Sequence, residues 1–286
     1  MDTHFWVIQV FNGISYGALL FLLASGLSLI FGVMRIVNLA HGSFFLLGGY
    51  VALTVIWTTG SWLLALPVAA AVVAVVGLLM ERVFLRPLGF DPLRQVLLTV
   101  GFAYLFQQAA LDIWGGDNLD ITPPEVLRES WVIGTLHFPV YRIFMIGVAI
   151  LIGIALWLVM ERTRIGAMVR ATVDDAQMAR GVGIDTSLVS MFIFALGAFL
   201  AALGGVIGGA FLGIYPGLDF AILPIAFAVV IIGGMGSLAG AAVGSLLVGL
   251  ADNFGKALFP EVSYFTLYAP MVLILALKPT GLFGRE

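Results

Sequence analysis

The stretch FWVIQVFNGISYGALLFLLASGLSLIFGVM, Phe5 to Met34, contains no lysine, arginine, aspartate or glutamate. A helix needs about 20 predominantly apolar residues to cross the hydrocarbon core of a bilayer. This run is longer than that, and far longer than the apolar core of a cleavable signal. Its first basic residue, Arg35, follows the run instead of preceding it. The stretch therefore reads as a membrane span.

The rest of the chain has the same character. Of its 286 residues, 62% are hydrophobic and only 10% charged, with a mean hydropathy of +1.13. Soluble domains average about 25% charged residues, so this chain cannot cover a soluble surface and must face lipid. The net charge of −3, with arginines in separate clusters, offers no basic stripe for nucleic acid. The absence of cysteine excludes disulfides, thiolate metal sites and cysteine nucleophiles.

Apolar segments fall near 5–33, 41–59, 61–80, 95–114, 140–160, 187–213, 219–235, 238–255 and 264–278. The expected fold is an all-α polytopic transmembrane bundle of eight or nine hydrophobic segments, one transmembrane domain over 1–286. Segments 219–235 and 238–255 are short and flank GGMGS. They are either two spans or broken, re-entrant pieces.

Arginine in short loops sets orientation. The loop 81–94 carries Arg82, Arg86 and Arg94, and the loop 161–186 carries Arg162, Arg164, Arg170 and Arg180. Both are assigned to the cytoplasm. The loop 115–139, with Asp117, Asp120, Glu125 and Glu129 against Arg128, is assigned outside. The N-terminus is then outside. The C-terminus, with Lys278 and Arg285, is inside, which favours two crossings within 219–255.

The bundle interior carries small residues at spacings of four: Gly197, Ala201, Gly205 and Gly209, then Gly236, Gly240 and Gly244. Each set lies on one helix face, suited to tight packing or to helices that slide. Ser25 and Ser28 are expected to bond within their own helix. Asn12, Gln107, Gln108 and Asn253 are candidate pathway groups, the two glutamines pointing about 100° apart. Asp112, Asp219 and Asp252 fall near segment ends, where water should reach them. No carboxylate reads as mid-span, which weighs against a proton-driven transporter.

After the first span comes MRIVNLAHGS, Met34 to Ser43. Asn38 and His41, three apart, would share one face of a helical turn, with Gly42 able to break the helix. They could cap a helix entry or form a gate or hinge. A lone histidine is a poor metal site. In the loop 161–186, Asp174 could cap a short helix with Asp175 in its first turn and Arg180 in its last. Gly181 and Gly183 would end it. Ala176 and Ala179 leave one side small, suited to a plain connector or to docking on a partner.

The stretches Phe11–Tyr50, ERVFLRPL, RTRIGAMVRATVDDAQMARGVGID, VVIIGGMGSLAGAAVGSLLVGL and KPTGLFG resemble the shorter permease subunits of branched-chain amino acid ABC importers. The resemblance runs in order along nearly the whole chain. It implies a fold akin to the vitamin B12 and ribose importer permeases. It also implies a second, longer permease, two cytoplasmic ATPase subunits and an external substrate-binding protein. ATP and magnesium would sit on the ATPases, and this chain, which has no G-x-x-x-x-G-K-[ST] motif, would bind no cofactor. The resemblance implies an ATPase-coupling role for Arg170, Asp174, Asp175, Ala179, Gly181 and Gly183. It places the chain in a bacterial inner membrane and leaves branched-chain amino acids, urea, amides and aromatic acids open as substrates. A stand-alone channel for a small neutral solute such as urea is the first alternative.

Overall fold

The computed structural model describes residues 3–89 and 91–284. Arg285, one of the basic residues expected to mark the cytoplasmic C-terminus, lies outside the described residues.

Helix α1 (Thr3–Met34) is followed by α2 (His41–Thr59) and α3 (Trp62–Met80), which runs on through a π-turn and a 3-10 turn to Leu88. Then come α4 (Pro92–Trp114), the short α5 (Glu125–Arg128), and a hairpin of β1 (Ser130–Ile133) and β2 (Leu136–Pro139). After α6 (Val140–Arg162), two short helices, α7 (Arg164–Asp174) and α8 (Ala176–Gly181), lead to α9 (Thr186–Leu212). The chain continues through α10 (Leu218–Gly233), α11 (Leu238–Leu258) and α12 (Ser263–Leu277). Among the described residues, seven helices are long and apolar enough to cross a membrane, and α10 and α12 are shorter apolar helices. The architecture is the all-α polytopic bundle expected.

Polar side chains start these helices. Ser61, Asp91, Asp185 and Ser237 each accept a backbone N–H from the first turn that follows them, satisfying donors that have no partner within the helix.

At the centre, α1 packs against α9 and α11, and α9 against α2 and α3. Glycine lets these backbones touch. A Cβ on Gly26 would lie 2.6 Å from the carbonyl oxygen of Gly197, and one on Gly249 would lie 2.5 Å from that of Gly13. The α9 ladder meets more than one neighbour: Gly197 abuts α1, Gly205 abuts Phe45 of α2, and Gly209 abuts Ile214 and Ile121. Ala201, between them, is buried. On α11, Gly240 and Gly244 press against the end of α10. Gly236 does not belong to that helical face. It lies in the preceding turn at φ +83, a conformation that favours glycine, and its Cα faces Gly32. Ser28 departs from the expected bond within its own helix: it donates to the carbonyl of Ser237 at 3.3 Å.

Contacts between α1 and α11 mark depth. Asn253 donates to the Gln9 carbonyl at 2.8 Å, and Ser28 meets Ser237. From Gln9 to Ser28 is about 28 Å at ~1.5 Å per residue, close to the ~30 Å hydrocarbon thickness. One end of the bundle carries the α1–α2 and α3–α4 links, α7, α8 and the chain after α12. The other carries the N-terminus and the loop 115–139, joined where Thr135 meets His4 at 3.1 Å. The arginine-rich loops read from sequence thus share one end.

Candidate functional site

The helix break after α1 falls earlier than the sequence suggested. Arg35 takes φ +54, and residues 35–40 are non-helical. Gly42 sits inside α2 and does not break it. Its missing Cβ admits the Asp219 carbonyl oxygen, which would lie 2.5 Å from that atom. Asn38 and His41 therefore do not share a helical turn: Asn38 lies in the linker, and its Oδ1 accepts the Ala40 N–H at 3.1 Å.

The linker turns back into the bundle. The His41 ring Nε2 meets the Leu23 carbonyl at 3.0 Å. Leu23 is eleven residues before Met34 on α1, about 16 Å back along the axis at ~1.5 Å per residue. Helix α2 therefore begins inside the membrane-spanning zone marked by Gln9 and Ser28, not at its edge. Six extended residues easily cover that distance.

Helix α10 begins at the same depth. The chain leaves α9 at Gly213, runs extended through Ile214, which exchanges backbone bonds with Leu119, and turns at Gly217 with φ +104. Ile214 packs onto the Cα atoms of Gly49 and Gly209. Ser43 of α2 donates to Asp219 of α10 at 2.7 Å. Asn38, His41, Ser43 and Asp219 are all buried, and Thr99 of α4 accepts the Leu39 N–H at 3.2 Å. Two discontinuous helices thus converge by their N-termini deep in the bundle. Irregular backbone is tolerated at membrane depth only when protein or a water-lined cavity satisfies it, and these side chains supply that.

This corrects the placement of two carboxylates. Asp219 and Asp252 are not water-reached ends: they are 2% and 5% exposed. Asp252 pairs with Lys256 at 2.7 Å, and the ammonium lies over the Tyr16 ring. Asp112 is exposed and accepts from Gln108 at 2.8 Å. The only sequence sign of a buried Asp219 was the shortness of its segment.

Beside the junction lies an apolar groove of about 490 Å³ between α4, α10 and α12, lined by Leu39, Val100, Phe220, Leu223, Phe227 and Met271 among others. Gln107 lies beside the turn that starts α10: its amide nitrogen is 3.6 Å from where a Gly217 Cβ would be, and Tyr104, one turn away, packs on Phe220, which lines the groove. Asn12 and Asn253 lie elsewhere. Asn12 accepts from Arg142 of α6, and Asn253 binds Gln9. Both tie α1 to a neighbour. Arg142, which also lies over the Phe211 ring, had no sequence signal apart from its charge at a span end.

At the basic end, α7 and α8 form a capped elbow. Asp175, not Asp174, caps α8, accepting from Gln177 N at 2.8 Å and Met178 N at 2.9 Å. Asp174 is the last residue of α7. These backbone donors hold the Asp175 carboxyl below its usual value. Arg170 donates to the Met160 carbonyl and lies 3.6 Å from Glu161, bracing α7 on α6. Gly181 ends α8 with open space around it, and Gly183 turns the chain at φ +90. The small face does not point outward: Ala179 is buried, and it seats α8 on this chain. The exposed side of the elbow carries Met178 and Val182, 66% and 71% exposed.

A family model described as branched-chain amino acid transport system / permease component matches residues 9–275. The chain is similar to the high-affinity branched-chain amino acid transport system permease protein LivH of Escherichia coli K12. The two are 30% identical over 98% of this chain and 96% of LivH. Its likeness to BraD of Pseudomonas aeruginosa, a permease protein of the same description, is 28% over 99% of this chain and 97% of BraD. It is also similar to the permease protein LivM of Escherichia coli K12, at 27% over 91% of this chain and 67% of LivM. No solved structure matches the chain significantly.

Proposed function

Since the chain belongs to the branched-chain amino acid transport permease family, we propose that it works as one permease of an ATP-driven importer for branched-chain amino acids. The second permease is a longer relative of the kind LivM represents. Two ATPase subunits supply the energy from the cytoplasm, and an external binding protein delivers the solute. The arginine-rich end is cytoplasmic, with the N-terminus outside, in the cell's inner membrane.

One observation carries this reading. The re-entrant junction of α2 and α10 opens beside an apolar groove, as a path for an aliphatic solute requires, and discontinuous helices are a recurrent device for such paths. The groove binds weakly by design: it offers packing and few polar groups, so affinity resides in the binding protein. The α7–α8 elbow presents two exposed apolar residues toward the ATPases. Their closure on ATP shifts α8, then α7 and the end of α6 through Arg170, and access at the junction switches. Solute crosses chemically unchanged.

The test is reconstitution of this chain with its partner permease, ATPases and binding protein in liposomes. Leucine accumulation that needs both ATP and the binding protein supports the importer. Solute flux from this chain alone, indifferent to ATP, replaces the importer with a channel.

A further inference from the structure

A second pocket, of about 210 Å³, lies at the arginine-rich end, apart from the groove. Its charged lining is Glu81 beyond α3, Arg86 and Arg180 of α8, and its apolar floor is Val33, Met34 and Leu85. Glu81 is 2% exposed, and its Oε2 has no hydrogen-bond partner among the described residues. Neither arginine lies within ion-pair distance of a carboxylate among the described residues. A buried carboxylate oxygen left without a hydrogen-bond donor is costly, and an ammonium that donates to it relieves that cost. The pocket therefore gathers one carboxyl group and two guanidinium groups beside an aliphatic lining; Arg180 donates its Nε to the Ala176 carbonyl, which leaves its terminal nitrogens for a ligand.

We propose that this pocket binds a small zwitterion with an aliphatic side chain, an α-amino acid, from the cytoplasmic side. The ammonium meets Glu81, the carboxylate meets Arg86 or Arg180, and the side chain lies on Val33, Met34 and Leu85. The choice of amino acid and of side rests on the importer reading; the zwitterion rests on the pocket's own charges. The walls come from two separate parts of the chain. Met34 ends α1 and Ile36 lies in the linker that re-enters toward the junction, while Thr172, Ala176 and Arg180 belong to the α7–α8 elbow. A ligand held between them favours the arrangement in which both walls are in place. Accumulated product then slows its own import.

The experiment uses the complete transporter in lipid nanodiscs without binding protein, titrated by calorimetry with L-leucine, isovalerate and isoamylamine. Leucine should bind saturably, while the two analogues, each lacking one charge, should not. Glu81→Gln and Arg86→Ala should each weaken leucine binding by roughly tenfold or more, as expected for a lost charge-assisted hydrogen bond. In liposomes, ATP-driven leucine transport by the wild type should fall as leucine is added on the ATPase side. Glu81→Gln should transport at the unliganded wild-type rate and lose that inhibition. Leucine binding that is absent, or equal in wild type and both variants, overturns the pocket. Loss of ATP-driven leucine transport in the wild type overturns the importer reading instead, and the titration still judges the pocket.

Discussion

Ser43, in the first turn of α2, donates 2.7 Å to the carboxylate of Asp219, in the first turn of α10. The bond joins two helices that both start inside the membrane-spanning zone. Ser43→Ala leaves a buried carboxylate oxygen without its donor and should cost about 1–3 kcal/mol. A thermal melt of the purified transporter reads this directly, and an unchanged midpoint would show that the bond adds nothing to stability.

Close backbone approach gives a paired prediction. A Cβ on Gly205 would collide with the Phe45 carbonyl, whereas one on Gly101 would meet nothing within 4 Å. Gly205→Ala should destabilise by about 1–3 kcal/mol through overpacking. Gly101→Ala should be neutral or stabilising by up to about 1 kcal/mol, since alanine is the better helix former. Equal melting points for the two variants would refute the packing account.

The groove beside the junction can be filled. Val100 lines it and is only half-buried, so Val100→Trp should occupy the space and leave the bundle folded. Leucine uptake should drop at least tenfold while the partner permease and ATPases still co-purify. Uptake at the wild-type rate would place the path elsewhere.

Under the proposed function, the coupling face is Met178 and Val182. Met178→Asp and Val182→Asp put charge on an apolar contact and should uncouple uptake or release the ATPases, with membrane levels of the permease unchanged. Gly181→Ala, which meets open space, should act as the mild control. If both aspartate variants transport normally, the ATPases dock on another surface.

Asp175 makes the α8 cap dependent on pH. Its carboxyl is held low by the Met178 and Gln177 N–H groups, so the cap is complete at neutral pH and weakens as pH falls through that lowered value. Asp175→Asn keeps a capping oxygen and should remove the pH dependence of hydrogen exchange in α8. Exchange that still rises on acidification in the asparagine variant would assign the effect to another group.

Each of the nine apolar segments read from the sequence corresponds to a helix within a few residues, and the arginine-rich loops fall at one end. Apolar run length and charge placement are properties of the chain itself, because lipid demands a continuous hydrophobic stretch whatever the neighbours are. The depth at which a helix begins is different. It depends on what the preceding backbone packs against, so only the tertiary structure shows that His41 reaches Leu23 and that Asp219 lies buried against Ser43. The same holds for α8: composition supplied two alanines, and packing against the chain's own bundle decided that Ala179 faces inward and Met178 and Val182 outward. Sequence alone determined that this chain crosses a membrane many times and which end carries its basic charge. The contacts between helices decided where its spans break, because backbone groups released at those breaks must find partners that lie far away in the sequence.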